Sequence, residues 1–302
     1  MPGNFSRIMV AQTLTKVGDR LASPKTTLAW LLQALGAPAL FIGLMVPVRE
    51  AGALLPQMFI AGWLRSRPVR KWTWVGGALV QGLAVAGCAF VALMLGGVAA
   101  GATVLGLVAA FSLARGFSSI SSKDVLGKTI PKTRRGQLSG WMSSASGVIA
   151  MAAGAFLVLG IGRDQDAPLY AGFLAVAAGL RVLAAGVYNR VKEFSGETGG
   201  GGHAWAHARE KLGLLRTDRP FRNFVLVRAL AVGSGLSAPF VISLAHRELG
   251  GAALCLGVFI IVDGFAAMVS APLWRRLADA SSRRVLRLAT GLTAGLLPDV
   301  SG

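Results

Sequence analysis

Long apolar runs separated by short polar segments occupy almost the whole chain. Measured against the roughly 20 residues that a helix needs to cross a bilayer, candidate spans lie near 27–47, 51–65, 73–95, 100–120, 138–160, 168–189, 222–245 and 252–274. A ninth begins at Val285 and breaks off after Leu297. Backbone polar groups in hydrocarbon must bond within their own segment, so these runs predict helices. The pattern therefore predicts an all-α polytopic membrane protein.

The basic residues between the runs predict the orientation. All but six of the 31 Lys and Arg residues lie before the first run or after the second, fourth, sixth and eighth. The alternate loops carry Arg49, Arg163 and Arg247, and the runs themselves contain Arg115, Arg181 and Arg228. Short cytoplasmic loops collect Lys and Arg. We therefore expect a cytoplasmic N-terminus in a protein of the bacterial inner membrane.

Composition agrees with a membrane protein and argues against other classes. The chain is 54% hydrophobic and only 15% charged, whereas a soluble domain carries about 25% charged residues. The net charge of +18 does not indicate nucleic-acid binding, because the positive residues are dispersed between apolar runs. Cys88 and Cys255 lie in apolar runs, and His203 and His207 lack an obvious third ligand. We expect no disulfide, metal site or other cofactor.

One long polar segment, residues 190–221, divides the chain. It predicts a six-helix domain at 1–189, a cytoplasmic Gly-rich linker at 190–221 and a partial domain at 222–302. The segment GWLRSRPVRK at 62–71 follows the second span, and RRLADASSRR at 275–284 follows the second span beyond the linker. An internal repeat of six helices explains both positions. Two unrelated positive-inside loops are the alternative.

Both segments resemble the signature loop of the major facilitator superfamily (MFS), roughly G-x-x-x-D-R-x-G-R-R/K. The first copy has Gly62, Arg67, Arg70 and Lys71 in place, with Ser66 at the position of the family's Asp. The second copy keeps Asp279, Arg283 and Arg284. The resemblance implies that these residues form cytoplasmic gating loops, part of the latch that holds the outward-facing state in the family.

A second resemblance follows the fourth span. Arg115 matches the family's fourth-helix arginine, and Pro131, Arg135 and Gly136 end the next loop as P-x-x-x-R-G. The family's fold has twelve helices, so we expect an MFS-type fold with an N-terminal six-helix bundle and an incomplete C-terminal bundle of two helices and a broken third. Such a bundle would leave helix faces against lipid. We therefore predict that 302 residues is a truncated reading that does not transport alone.

Charged and amide side chains within the spans are the candidate pathway residues. A charge near the bilayer centre costs roughly 2.5–3.5 kcal/mol on insertion scales, so it normally faces a partner or a wet cavity. Asp263 is the only acid deep in any predicted span, and we expect it to face the pathway and carry a proton, or else to pair with an arginine. The other candidates are Arg115, Arg181, Arg228, Gln33, Gln57 and Gln81. Their alternatives are snorkelling for the arginines and helix bridging for the glutamines.

The resemblance implies a secondary transporter that moves a small solute by alternating access, with a site near the membrane midplane. Arg115 would bind an anionic group or organise the cavity. The excess positive charge within the spans favours an anion, and Asp263 would couple transport to protons. The expected partners are the lipid bilayer, the solute and protons. A non-transporting scaffold or sensor, or an inactive fragment, is the alternative; the sequence has no cluster typical of an enzyme.

Overall fold

The structure, a computed structural model, describes residues 2–54, 57–156, 158–159, 167–196, 198, 216–233, 238–248, 253–280, 288 and 291. Its helices are α1 (Pro2–Leu21), α2 (Thr27–Ala34), α3 (Ala39–Leu54), α4 (Gln57–Arg65), α5 (Lys71–Met94), α6 (Gly97–Thr129), α7 (Lys132–Phe156), α8 (Ala167–Asn189), α9 (Arg219–Gly233), α10 (Ala238–Glu248) and α11 (Ala253–Ala280). The predicted ninth span lies outside the described residues except for Leu288 and Gly291, and so does most of the predicted linker.

The first predicted span, 27–47, is wrong, because the chain turns in its middle. Helix α2 ends at Ala34 and α3 begins at Ala39. Gly36 between them has φ +69°, a conformation that glycine adopts without steric cost, and Pro38 cannot continue the preceding helix. The first pass is therefore α1 followed by α2, and the second is α3 followed by α4.

Residues 2–21, which the hydropathy pattern places in a cytoplasmic tail, form helix α1. Its apolar positions Ile8, Ala11, Val17 and Leu21 are buried. Its polar positions recur at helical spacing and line cavities inside the protein, at Gln12, Thr15, Lys16, Asp19 and Arg20. Mean hydropathy misses such a helix, since its charges are satisfied by partners rather than by water.

Helices α5, α6 and α8 form the apolar centre of the first six passes. They are long and apolar enough to span a membrane over Lys71–Met94, Gly97–Thr129 and Pro168–Asn189, close to the predicted spans. Helix α5 packs against both α6 and α8, and α1 packs against α7 and α8. Trp30 is fully buried in this core, where its Nε1 donates a 2.9 Å hydrogen bond to the Tyr170 hydroxyl.

Helix α11 packs against α7 through two glycine pairs. Gly147 and Gly154 on α7 are seven residues apart, as are Gly257 and Gly264 on α11. A Cβ at Gly147 would lie 2.9 Å from the Gly264 carbonyl oxygen, and one at Gly154 would lie 2.7 Å from that of Gly257. Small residues let membrane helices approach this closely. We call this contact the glycine seam.

Three further contacts join the first six passes to the helices after the linker. The Ser243 hydroxyl on α10 donates to Gln33 Oε1 at 2.7 Å. The Trp30 and His246 rings meet edge to face at 4.5 Å between centroids. Gly43 accommodates the Phe240 ring, whose Cζ would lie 2.7 Å from an added Cβ. The seam and these contacts place α10 and α11 against the first passes.

Adding one methyl group to the glycine seam should destabilise the protein. Gly→Ala in an exposed helix normally stabilises by about 1 kcal/mol. In Gly154→Ala the new Cβ would lie 2.7 Å from the Gly257 oxygen and 2.8 Å from Ile261 Cγ1, and such overpacking costs roughly 1–3 kcal/mol. We expect a lower unfolding temperature in detergent for Gly154→Ala. Gly179→Ala, which meets nothing within 4 Å, is the matched control and should be neutral or stabilising. Equal unfolding temperatures for the two variants would contradict a close α7–α11 contact.

Candidate functional site

A polar cavity of about 490 Å³ opens between the first passes and α11. We call it the upper cavity. Helices α1, α3, α6, α7 and α11 supply its walls, and the lining residues are Lys16, Asp19, Arg20, Ser23, Pro24, Lys25, Val46, Arg49, Glu50, Ala53, Arg115, Ser143, Ser146, Asp263 and Ser270. Its volume lies in the range of small-molecule sites.

A second polar cavity of about 350 Å³ adjoins the first. We call it the lower cavity. Its polar lining follows one face of α6, with Arg115, Ser118, Ser119, Ser122 and Lys123 at helical spacing. Lys16, Asp19 and Arg115 line both cavities. The wall between the cavities therefore consists of charged side chains.

Asp19 lies at the centre of this wall and pairs with three arginines from three different helices. Arg115 Nη1 on α6 lies 2.6 Å from its Oδ2. Arg49 Nη2 on α3 lies 3.3 Å from its Oδ1, and Arg181 on α8 forms a short ion pair with the same oxygen. One carboxylate thus faces three guanidinium groups, which leaves two positive charges in excess. We call these four residues the Asp19 cluster.

The three arginines differ in how firmly they are held. Arg181 is fixed by a 2.6 Å hydrogen bond from Nη1 to Gln81 Oε1 as well as by Asp19, and only 1% of its side chain is exposed. Arg49 is 15% exposed. The guanidinium carbons of both lie over the Phe111 ring, at 4.5 and 5.3 Å from its centroid.

Arg115 is the most accessible of the three, with 39% of its side chain exposed. Of the two polar cavities, Arg115 lines both, whereas Arg49 lines only the upper cavity and Arg181 lines only the lower cavity. Among the contacts described for its side chain, the ion pair with Asp19 is the principal one. Arg115 is therefore placed to exchange partners.

Behind Arg181, a chain of hydrogen bonds ties the Asp19 cluster to α5. Gln81 Nε2 donates to Ser118 Oγ and to the Gly77 carbonyl oxygen, both at 3.0 Å. Gly77 lets α5 and α6 approach, since a Cβ there would lie 2.9 Å from the Ala114 carbonyl oxygen. Gln81 therefore bridges α5 and α6 and orients Arg181. This is the helix-bridging role that the sequence offered as the alternative to substrate binding.

Asp263 lines the upper cavity but is paired. Arg20 Nη1 lies 2.6 Å from its Oδ2 and also donates to its backbone oxygen at 3.1 Å. The Asp263 side chain is 60% exposed. The contact joins α1 to α11 across the cavity. Pairing with an arginine is one of the two roles that the sequence left open for Asp263.

The other predicted pathway residues lie outside the Asp19 cluster. Gln33 bonds Ser243 between the two parts of the chain. Gln57 Nε2 donates to Ala53 O on the preceding turn, at 2.9 Å, and Gln57 does not line either polar cavity. The side chain of Arg228 lies outside the described residues.

The signature loop at 62–71 is held by acids from other segments. Arg70 Nη1 lies 2.8 Å from Asp124 Oδ2 on α6. Glu193, whose side chain is fully buried, accepts the backbone N–H groups of Arg70 and Lys71 at 2.9 and 2.7 Å and pairs with Lys128. These acids anchor the loop although Ser66 replaces the family's Asp.

The other predicted gating-loop residues either make contacts without an acidic partner or lie outside the described part of the chain. Lys71 Nζ donates to the Asn189 and Val191 carbonyl oxygens at 2.9 and 3.0 Å. Arg67 lies over the Trp63 ring at 4.9 Å, and Gly62 lies in α4. In the second copy, Arg283, Arg284 and the side chain of Asp279 lie outside the described residues.

Sequence reasoning missed Asp19, Arg49, Asp124 and Glu193. The hydropathy pattern places Asp19 before the first span and Arg49 in an outer loop, because it misplaces the first two spans. In fact Arg49 lies within α3, where Asp19 neutralises it. The helical spacing of polar residues from Gln12 to Arg20 is the feature that could have identified α1 as a cavity-lining helix.

Comparison with known proteins identifies the fold. The sequence model of the Major Facilitator Superfamily matches residues 8–298. The chain is similar to a D-xylose-proton symporter, with a TM-score of 0.62 and 13% identity over 91% of this chain and 69% of that one. It is also similar to the xylose transporter XylE from E. coli in a partially occluded inward-open conformation, with a TM-score of 0.62 and 15% identity over 92% of this chain and 74% of that one. No curated protein matches the chain in sequence. The predicted all-α MFS-type fold is confirmed, whereas the predicted domain boundaries stay predictions.

Removing the charge of Asp19 should cost far more stability than removing that of Asp263. Asp19→Asn leaves three guanidinium groups facing one another, and breaking a buried ion pair costs roughly 3–5 kcal/mol. Asp263→Asn breaks a pair whose carboxylate is mostly exposed, and such pairs contribute about 0–1 kcal/mol. The loss of stability in each of the two variants is measured as the decrease in unfolding temperature in detergent at pH 7. Equal losses would show that the Asp19 cluster is not what holds α1 against α3, α6 and α8.

Proposed function

Because the chain belongs to the Major Facilitator Superfamily, we propose that it is built to carry a small anionic solute across the membrane. Family membership makes it an integral membrane protein of a transporter family rather than an enzyme. Alternating access about a central site is how such folds move solutes. The observation that carries the choice of an anion is the Asp19 cluster, where one carboxylate faces three arginines in the wall between two polar cavities.

The charges around the cluster support an anion rather than a neutral sugar. The upper cavity is lined by Lys16, Arg20, Lys25, Arg49 and Arg115 against three acids. The lower cavity is lined by Lys16, Arg115, Lys123, Arg135 and Arg181 against Asp19 alone. Excess positive charge in a low-dielectric site is stabilised by a bound anion. The xylose transporters share the fold at 13–15% identity, which supports the fold and not the substrate.

Proton coupling forms the second part of the proposal, with Asp263 as the carrier. Its side chain is open to the upper cavity, and its pairing with Arg20 joins α1 to α11. Protonation of this carboxylate would remove the attraction to Arg20 and so favour separation of the two walls. A proton bound at Asp263 would thus be linked to the change in access.

We also propose that the N-terminus faces the cytoplasm of a bacterial cell, because the basic loops follow the positive-inside rule. The corrected helix bounds still give two passes before α5, so each later loop stays on the side of the membrane that the sequence predicts. A membrane-impermeant thiol reagent should label Val98→Cys in intact cells and Arg134→Cys only after permeabilisation. The reverse labelling would contradict the orientation.

Replacing Arg115 should abolish transport of an anion. The full chain in proteoliposomes is tested for uptake of labelled succinate, inorganic phosphate and D-xylose. Although the sequence alone predicts a chain that does not transport, its described residues form both polar cavities and the Asp19 cluster. We therefore expect uptake of an anion by the parent chain and a loss of at least about 100-fold in Arg115→Gln, the scale of a lost charged contact to substrate. Arg134→Gln, an exposed arginine at the start of α7, is the matched control and should transport normally. Uptake of D-xylose alone would contradict the choice of an anion, and binding without any uptake would favour the inactive fragment.

The same vesicles test Asp263. An inward proton gradient should stimulate uptake by the parent chain, whereas Asp263→Asn should transport without responding to the gradient, since it has no proton to exchange. If the gradient stimulates both proteins equally, Asp263 is not the carrier.

A further inference from the structure

We infer that Asp19 is a built-in counter-ion that the solute replaces on Arg115, so that solute binding is an exchange of one oxyanion for another. The inference rests on the proposed function, because it assigns the recognition of the anion to particular atoms. It also names the class of the solute, which is a small carboxylate or phosphate compound that fits a cavity of about 490 Å³.

Arg115 can leave Asp19 without leaving a carboxylate unpaired. Asp19 Oδ1 is already bound by Arg49 and Arg181, whereas Arg115 binds the other oxygen, Oδ2. Removing Arg115 therefore leaves Asp19 with two guanidinium partners. Its negative charge stays compensated.

Arg115 nevertheless cannot leave Asp19 unless another anion is present. Its guanidinium would otherwise stand in the cavity wall beside two further arginines, with Glu50 acting on it only through space and no carboxylate in contact, and an unpaired charge in such a site is costly. An incoming oxyanion supplies that charge. Exchange is therefore favoured only when the solute is bound. A solute that binds the state with Arg115 released more tightly than the state with Arg115 on Asp19 can shift the equilibrium between them.

The upper cavity offers the exchanging anion other donors. Lys16, on the turn of α1 before Asp19, lines both cavities together with Arg115. Its Nζ donates to the Ser143 hydroxyl at 3.0 Å, and Ser146 lies one turn further along α7 in the same lining. Amino, guanidinium and hydroxyl donors together suit carboxylate and phosphate oxygens.

Removing the built-in counter-ion should therefore tighten binding of an external oxyanion. The dissociation constants of succinate and inorganic phosphate are measured by titration calorimetry for the purified full chain and for its variants. We expect Asp19→Asn to bind the better probe at least about tenfold more tightly. Glu50→Gln is the matched control, because it removes from the same cavity lining a negative charge that acts on Arg115 through space without forming an ion pair with it. It should change the constant by less than about threefold, the scale of a screened long-range charge. Arg115→Gln should bind neither probe measurably.

Chemical rescue keeps the inference testable if Asp19→Asn is poorly folded. In Asp19→Gly the carboxylate is deleted and its space left open, so acetate should occupy the place and raise the unfolding temperature in a concentration-dependent way. The parent chain, whose site is already filled, should respond to acetate much less. Equal responses of the two proteins would overturn the inference.

The outcomes separate this inference from the proposed function. If the parent chain binds an oxyanion but Asp19→Asn binds it no more tightly than Glu50→Gln does, the exchange is wrong and the anion proposal stands. If neither probe binds to any variant while D-xylose does, both are wrong. Tighter binding by Asp19→Asn, together with loss of binding in Arg115→Gln, would support the exchange whether or not the chain transports in vesicles.

Discussion

The structure depends on one carboxylate that pairs with three guanidinium groups. Asp19 on α1 pairs with Arg49 on α3, Arg115 on α6 and Arg181 on α8. In hydrocarbon or a narrow cavity each of those charges would be costly alone, and α1 brings one carboxylate into contact with all three. The polar face of α1 carries Asp19 into the wall between the two polar cavities.

The same interaction leaves an excess of positive charge in the Asp19 cluster. One acid cannot compensate three arginines, and the excess charge lies where the two polar cavities meet. Arg181 and Arg49 are held by Gln81 and Phe111, so only Arg115 is accessible enough to respond to an anion. Around this fixed centre, the parts of the chain that must separate during transport touch through Arg20 and Asp263 and through the glycine seam. A polar cluster within the first passes, beside contacts to the helices after the linker, is an arrangement compatible with rocking bundles.

Much of the fold could be predicted from the sequence, because hydropathy and loop charge report directly on the bilayer. The spans assigned to α5, α6 and α8 lie within a few residues of the observed helices, except that α6 continues to Thr129. The method failed at α1, whose charges are paired inside the protein and so resemble those of a soluble tail. That error placed Arg49 in a loop and displaced the first two spans. The anchoring of the signature loop was equally hidden, since Asp124 and Glu193 are far from it in sequence and become partners only through the packing of α6 and the segment after α8.

A family resemblance points to Arg115, and the position of Arg181 in an apolar run points to that residue. Their common partner required three-dimensional structure, because nothing in the sequence shows which acid three dispersed arginines share. The most direct test of the central role of this cluster is a crystal structure of the chain with selenate, whose anomalous scattering locates the anion without ambiguity. The account predicts a selenium peak in the upper cavity within about 4 Å of the Arg115 guanidinium, an ion-pair distance, with Arg115 moved off Asp19 and Arg49 and Arg181 still on it. A peak elsewhere, or an Arg115–Asp19 pair that stays closed beside bound selenate, would contradict it.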